Sequence, residues 1–266
     1  MRRIGIVMVV VVVAAAGLFL GVRAAWNAII GPPDPSCAFG SYTTTTDQAS
    51  TASRMTAVVV RRHLPERAAV LVLAAALQES KLRNIPAGNG DRDSVGVLQQ
   101  RPSQGWGKAA DLADPAYATG RFLDRLVEDR SWTTDDLATV IQKVQVSADG
   151  SLYTQHEPQA QAMADTLTGR TARGITCDFP AADVVAGASL VAAQVRADLP
   201  VAKPVVAGSR ITVPNASWTT AAWFVANADR LGIDEVDCAG GRWLRGKHWR
   251  TDASIGATGV VAVLHH

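Results

Sequence analysis

The chain has 266 residues, room for one or two domains. Nearly half of them (48%) are hydrophobic and 19% are charged, the composition of a folded protein rather than a disordered one. A net charge of +2 is too small to point to nucleic acid, and no nucleic-acid partner is expected.

Met1-Arg2-Arg3 is followed by Ile4 to Val22, an uncharged and almost entirely apolar run of 19 residues. A helix needs about 20 residues to cross a bilayer core, and the two arginines favour leaving that end in the cytoplasm. A cleaved signal peptide opens similarly, but its apolar core is shorter, roughly 7–15 residues. Arg23 and Trp26 also interrupt the candidate cleavage sites. Residues 1–30 therefore read as a single membrane anchor, or as a signal if they are cleaved, and 31–36 as a Pro-rich linker. The rest of the chain is expected on the outer side of the cell membrane.

Export gives the three cysteines meaning. Cys37 lies just after the linker and Cys177 just after a Thr-, Gly- and Arg-rich stretch. In an oxidising compartment a disulfide between them would staple both ends of one domain. On the chain-entropy model, closing so long a loop contributes about 4–5 kcal/mol. Cys238 is left over as a buried small hydrophobe. No CxxC or His-rich spacing suggests a metal, and no cofactor is expected.

Asp47 to Arg62 predicts a helix, with Met55, Val58 and Val59 at core spacing. Pro65 and Glu66 suit the first turn of a second helix running to about Arg83. That helix is apolar on every side from Ala68 to Leu77, too short a run to cross a membrane, so it belongs inside a domain. Ser94 to Gln99 fits a strand or a turn. Further helices are expected over Pro115 to Val127, over Thr133 to Val146 with Asp135 and Asp136 in its first turn, and over Pro158 to Leu167. Residues 37–177 thus read as a mainly α domain around one buried helix.

Past Cys177 the pattern changes. Residues 178–216 read as a linker holding one short helix, Ala188 to Ala197. Residues 217–266 read as a small α+β accessory module: a helix over Trp218 to Leu231, then strands over Ile233 to Asp237, Arg242 to Leu244 and Gly259 to Leu264. The cations and aromatics from Arg242 to Arg250 fit a hairpin with a solvated basic face, or a holder of an anionic wall polymer or a protein.

The chemistry concentrates at Glu79. Cleaving a glycosidic bond needs a carboxylic acid that keeps its proton near neutral pH, and an apolar setting does this by penalising the anion. Glu79 closely follows the apolar run, near the C-terminal end of its helix, where the macrodipole also disfavours ionisation. A polar loop with Asp91 and Asp93 follows. Gln99 and Gln100 then stand near a glycine, placed to hydrogen-bond a sugar, and Trp106 offers a ring for stacking on a pyranose.

Glu79-Ser80 followed by SVGVLQQRPS resembles the paired motifs of lytic transglycosylases in the lysozyme-like superfamily. ALQESKLRN, GDRDSVG, LQQRPSQGWG, DPAY and YTQHEP together are similar to a group of actinobacterial exported proteins with this domain. The likeness covers Ser53 to Gly169 and is specific from Glu79 to Gly107. It implies a lysozyme-like helical fold, peptidoglycan as substrate, Glu79 as acid and base, Gln99 as a sugar contact, and Tyr153 as a sugar-site tyrosine. The family's Tyr-Asn-Ala-Gly-like motif is absent where Gln145-Val146-Ser147-Ala148 stands.

A lytic transglycosylase works with one glutamate, whereas an inverting hydrolase needs a second carboxylate at about 6.5–9.5 Å. Asp91 and Asp93 are the nearby candidates, at a spacing similar to that of goose-type lysozymes. Each residue also has a plainer reading: Glu79 as a solvated helix end, Asp91 and Asp93 as turn residues, Gln99 and Gln100 as local backbone caps, Trp106 as packing. The expectation is cleavage of peptidoglycan glycan strands, by transglycosylase or muramidase chemistry. The rival is a wall-binding protein without turnover.

Overall fold

The computed structural model describes residues 34–179, 186–200 and 202–265. The expected membrane anchor at 1–30 lies outside them. No described helix is long and apolar enough to cross a membrane.

The described chain opens with a hairpin, β1 (Ser36–Phe39) and β2 (Tyr42–Thr45). Helix α1 (Thr46–Arg61) follows at once, because Thr45 caps it. The Gln48 amide donates to Thr45 Oγ1 at 3.2 Å and the Thr45 amide donates to Gln48 Oε1 at 2.8 Å, a reciprocal capping box. Helix α2 (Glu66–Ser80) begins after Pro65 and ends where Lys81 turns left-handed, at φ 55°. Every residue from Ala68 to Leu77 is buried. That burial holds the helix in the middle of the fold, packed by later helices on several sides.

Short α3 (Ala109–Leu112) leads to α4 (Pro115–Glu128), where Asp114 accepts from the Ala116 amide at 2.9 Å and Pro115 presets the first turn. Helix α5 (Leu137–Gln145) starts later than the sequence predicts. Its cap is Asp136, which accepts from the Thr139 amide, while 130–133 form a 3₁₀ turn. Then come α6 (Ser151–Thr154), α7 (Glu157–Leu167) and β3 (Ile175–Asp178). Helix α2 packs against α1, α4, α5, α6 and α7.

Strands β2, β1 and β3 form an antiparallel sheet in that order. Cys37 lies directly opposite Cys177 across β1 and β3, and the two are joined in a buried disulfide with Cα atoms 4.0 Å apart. Cys238 is free and buried, and burial pushes its thiol up to about 11.

The stretch read as a linker, 178–216, holds α8 (Ala188–Asp198), β4 (Val205–Ala207) and β5 (Arg210–Val213). After it come α9 (Trp218–Ala226), α10 (Ala228–Leu231), β6 (Ile233–Cys238), β7 (Gly241–Leu244), β8 (Arg250–Thr251) and β9 (Val260–Leu264). The second sheet runs β4-β5-β9-β6-β7-β8, antiparallel throughout.

These two sheets overturn the mainly α expectation, including a lysozyme-like helical domain as the dominant architecture. About 46% of the described residues are helical and 18% are in strands or bridges. The reason is pairing at a distance. The short strands β1 and β3 carry weak local signals and become a sheet by meeting across the disulfide. Strand β5 forms its ladder with β9, near the C-terminus. Helix α9 packs on α1, α7, β3 and β6 alike, so residues 35–266 make one compact unit.

Within the run Arg242 to Arg250, the two arginines of its first half are ion-paired while Lys247, His248 and Arg250 are exposed. Arg242 bonds Asp237 at 2.8 and 3.0 Å and pairs with Asp252 at 3.2 Å, and Arg245 pairs with Asp234 at 3.1 Å. Trp243 is fully buried, and the Trp249 indole donates to the Ile175 carbonyl at 2.8 Å.

Candidate functional site

Glu79 stands in the last turn of α2, half-buried. Two later segments converge on it. The Tyr153 hydroxyl, on α6, donates to Glu79 Oε1 at 2.7 Å. The side chain of Gln145, the last residue of α5, lies against the same carboxyl. Burial raises the pKa of Glu79 above the ordinary carboxylate value, and the bonds from Tyr153 and Gln145 offset part of that rise. Tyr153 is 2% exposed, and burial lifts its own pKa far above that of a free phenol, so it stays a donor at any working pH.

The segment 96–100 is tied to the helix ends on either side of the carboxyl. Ser80 Oγ donates to the Val97 carbonyl at 2.7 Å and to the Ala76 carbonyl at 3.2 Å. Gln145 Nε2 donates to the Leu98 carbonyl at 3.0 Å. The segment is thus fixed to the ends of both α2 and α5. Gly96 sits at φ 79° against the Leu112 carbonyl, where any side chain would collide. Gln145 Oε1 is buried without a partner.

The other expected site residues divide sharply. Ser80 is buried and ties backbone together, so it is a positioning residue at the carboxyl's edge. Gln99 is partly exposed at φ 47°, with Nε2 donating to the Gly96 carbonyl at 2.9 Å. Gln100 is 1% exposed and donates to the Ala118 carbonyl, which makes it a core amide rather than a sugar contact. Trp106 is 1% exposed under the Arg125 guanidinium, 3.5 Å from the ring centroid, so it has no free face for a pyranose. The run SQGWG invites a surface reading because its flanks are polar, and the ring is inward only because α4 covers it: Arg121, on that helix, donates to the Trp106 carbonyl at 3.0 Å.

The loop acids are held apart from the chemistry. Asp93 accepts from Arg101 Nε at 2.7 Å and from the Ser103 amide at 2.8 Å, and these bonds hold it well below the usual carboxylate range. Asp91 is almost fully exposed, with Arg92 4.0 Å away. Neither touches Glu79 through any bond among the described residues.

Sequence reasoning missed Gln145, Gln78 and His156. His156 Nε2 meets Gln78 Oε1 at 2.9 Å, one residue before Glu79, and burial lowers the imidazole pKa. Gln145 carries no local signal. It ends a helix just before Val146 at φ 54°, and only the packing of α5 on α2 brings it to the carboxyl.

A cleft of about 890 Å³ opens elsewhere, between α1, the chain just past α2, α8 and Arg230, and Glu79 is not in its lining. No family model matches the chain, and no curated protein matches it. Among the described residues no group of His, Cys, Asp and Glu is placed to hold a metal ion.

Proposed function

We propose that this chain cleaves the glycan strands of peptidoglycan, with Glu79 acting first as acid and then as base. The observation that carries the reading is a half-buried carboxyl with a raised pKa, fixed by a phenol at 2.7 Å. Glu79 gives its proton to the glycosidic oxygen as the C1–O bond breaks. The resulting carboxylate takes the proton of the muramyl 6-hydroxyl as that oxygen closes on C1. A 1,6-anhydro end leaves, and Glu79 is protonated again.

The placement of the aspartates supports a single-glutamate route over inversion by a second carboxylate, since Asp93 is committed to Arg101 and Ser103. The likeness of the block from Glu79 to Gly107 to lytic transglycosylases points the same way. The site belongs at the outer face of the cell membrane, with residues 1–30 as anchor and the wall as partner.

The test is analysis of the fragments released from sacculi by the full chain in detergent. Anhydro ends released by wild type and not by Glu79→Gln support the reading; reducing ends from wild type replace it with hydrolysis. Wall binding without turnover is the second reading. It is favoured by a cleft of about 890 Å³ that lies away from Glu79. Retained binding to sacculi with no release would establish it instead.

A further inference from the structure

The cleft of about 890 Å³ is lined by two arginines, Arg230 and Arg83, that make no ion pair with a carboxylate among the described residues. Arg230 is half-buried and gripped on one edge only: its Nε donates to Ser50 Oγ at 3.0 Å and to Asn227 Oδ1 at 2.8 Å. Those partners are themselves buried and interlocked. Ser50 Oγ donates to Asn227 Oδ1 at 2.8 Å, and Asn227 Nδ2 donates to the Trp223 carbonyl at 2.7 Å. The guanidinium is therefore rigid, and neither of its terminal nitrogens has a protein partner.

Arg83 lines the same cleft and makes one bond, from Nε to the Ser80 carbonyl at 3.2 Å. Neither arginine has a carboxylate within ion-pair distance among the described residues, whereas Arg54, also in the lining, pairs with Asp114 at 3.0 Å. Asp47 and Asp198 are the cleft's own acids. Asp198 is buried and accepts from the Trp223 indole at 2.9 Å, and Asp47 is exposed.

A half-buried cation with no carboxylate in ion-pair contact is costly: burial and then the nearby Arg54 pull the Arg230 pKa down, and Asp198 across the cleft offsets only part of that. An incoming anion relieves that cost. Thr51, Asn84 and Gln194 add hydroxyl and amide groups suited to a ligand rich in hydroxyls. We propose that this cleft binds an anionic saccharide, its phosphate or carboxylate seated on Arg230 and Arg83. The site is separate from Glu79 and does not depend on any chemistry there.

Calorimetric titration of the full chain with glucose 6-phosphate and with glucuronate, with glucose as neutral control, tests it. At least one anion binds with a Kd of about 1 mM or tighter, glucose does not, and loss of one charge-assisted contact weakens binding about tenfold or more. Arg83→Gln and Arg230→Gln each show that loss, and Glu79→Gln does not. Which anion binds tells whether the ligand brings phosphate or carboxylate. Failure of both anions to bind, or unchanged affinity in Arg83→Gln, overturns the proposal. Arg83 is exposed, so that variant decides the matter even where Arg230→Gln unfolds.

Discussion

The Tyr153 hydroxyl lies 2.7 Å from Glu79 Oε1, across a sequence separation of 74 residues. A bond to the ionised form lowers a carboxyl's pKa, so Tyr153 works against the burial that raises it. Removing the hydroxyl in Tyr153→Phe leaves burial less opposed, and the Glu79 pKa rises further. In a reaction that needs Glu79 protonated, activity falls as pH rises through that pKa. The alkaline limb of the pH–rate profile therefore moves to higher pH in Tyr153→Phe, and the unfolding free energy drops by about 1 kcal/mol for the lost bond.

Glu79 should also leave a mark on stability. Its folded pKa lies above its ordinary value, so the native state holds the proton more tightly than the unfolded chain. The stability it contributes is present below the ordinary carboxylate pKa and is lost as pH rises through the folded one. Glu79→Gln cannot ionise. Its melting temperature gains on wild type as pH rises through that window, and the gain vanishes on acidification.

Asp93 has the opposite sign. Its lowered pKa means that its pairing with Arg101 and Ser103 stabilises the loop above the ordinary carboxylate range and fails as pH falls toward the folded value. Asp91→Asn and Asp93→Asn retain anhydro-end release, while Glu79→Gln loses it. Abolished release in either aspartate variant would return a second carboxylate to the mechanism.

The disulfide closes a loop with a sequence separation of 140 residues. Replacing both Cys37 and Cys177 by alanine lowers the unfolding free energy by about 4–5 kcal/mol on the chain-entropy model. Denaturant unfolding of the oxidised protein against the double variant measures it directly.

Trp106→Ala separates packing from sugar contact. The ring is buried beneath Arg125, so the variant loses about 3–5 kcal/mol of stability, as large aromatic truncations in cores do. Its affinity for sacculi, measured at a temperature where it stays folded, remains that of wild type.

Much of the helical framework is legible locally. The run Ala68 to Leu77 can only be a buried helix, and Asp114-Pro115 starts α4 where the sequence places it, because caps and apolar runs act within a few residues. The shift of α5 to Leu137 shows the limit. Several polar residues from Thr133 onward can each cap a helix, and the 3₁₀ turn over 130–133 decides among them.

The residues alone, then, determine a carboxylate at the end of an apolar helix, a pair of cysteines bracketing about 140 residues, and a change of pattern after Cys177. Tertiary structure decides that Tyr153 and Gln145 meet that carboxylate, that Trp106 and Gln100 turn inward, and that strands far apart in sequence, such as 36–39 and 175–178, join into sheets. The division follows from distance. Turns, caps and apolar periods are set by neighbours a few residues away, whereas strand pairing and side-chain burial depend on partners that only the folded chain brings together.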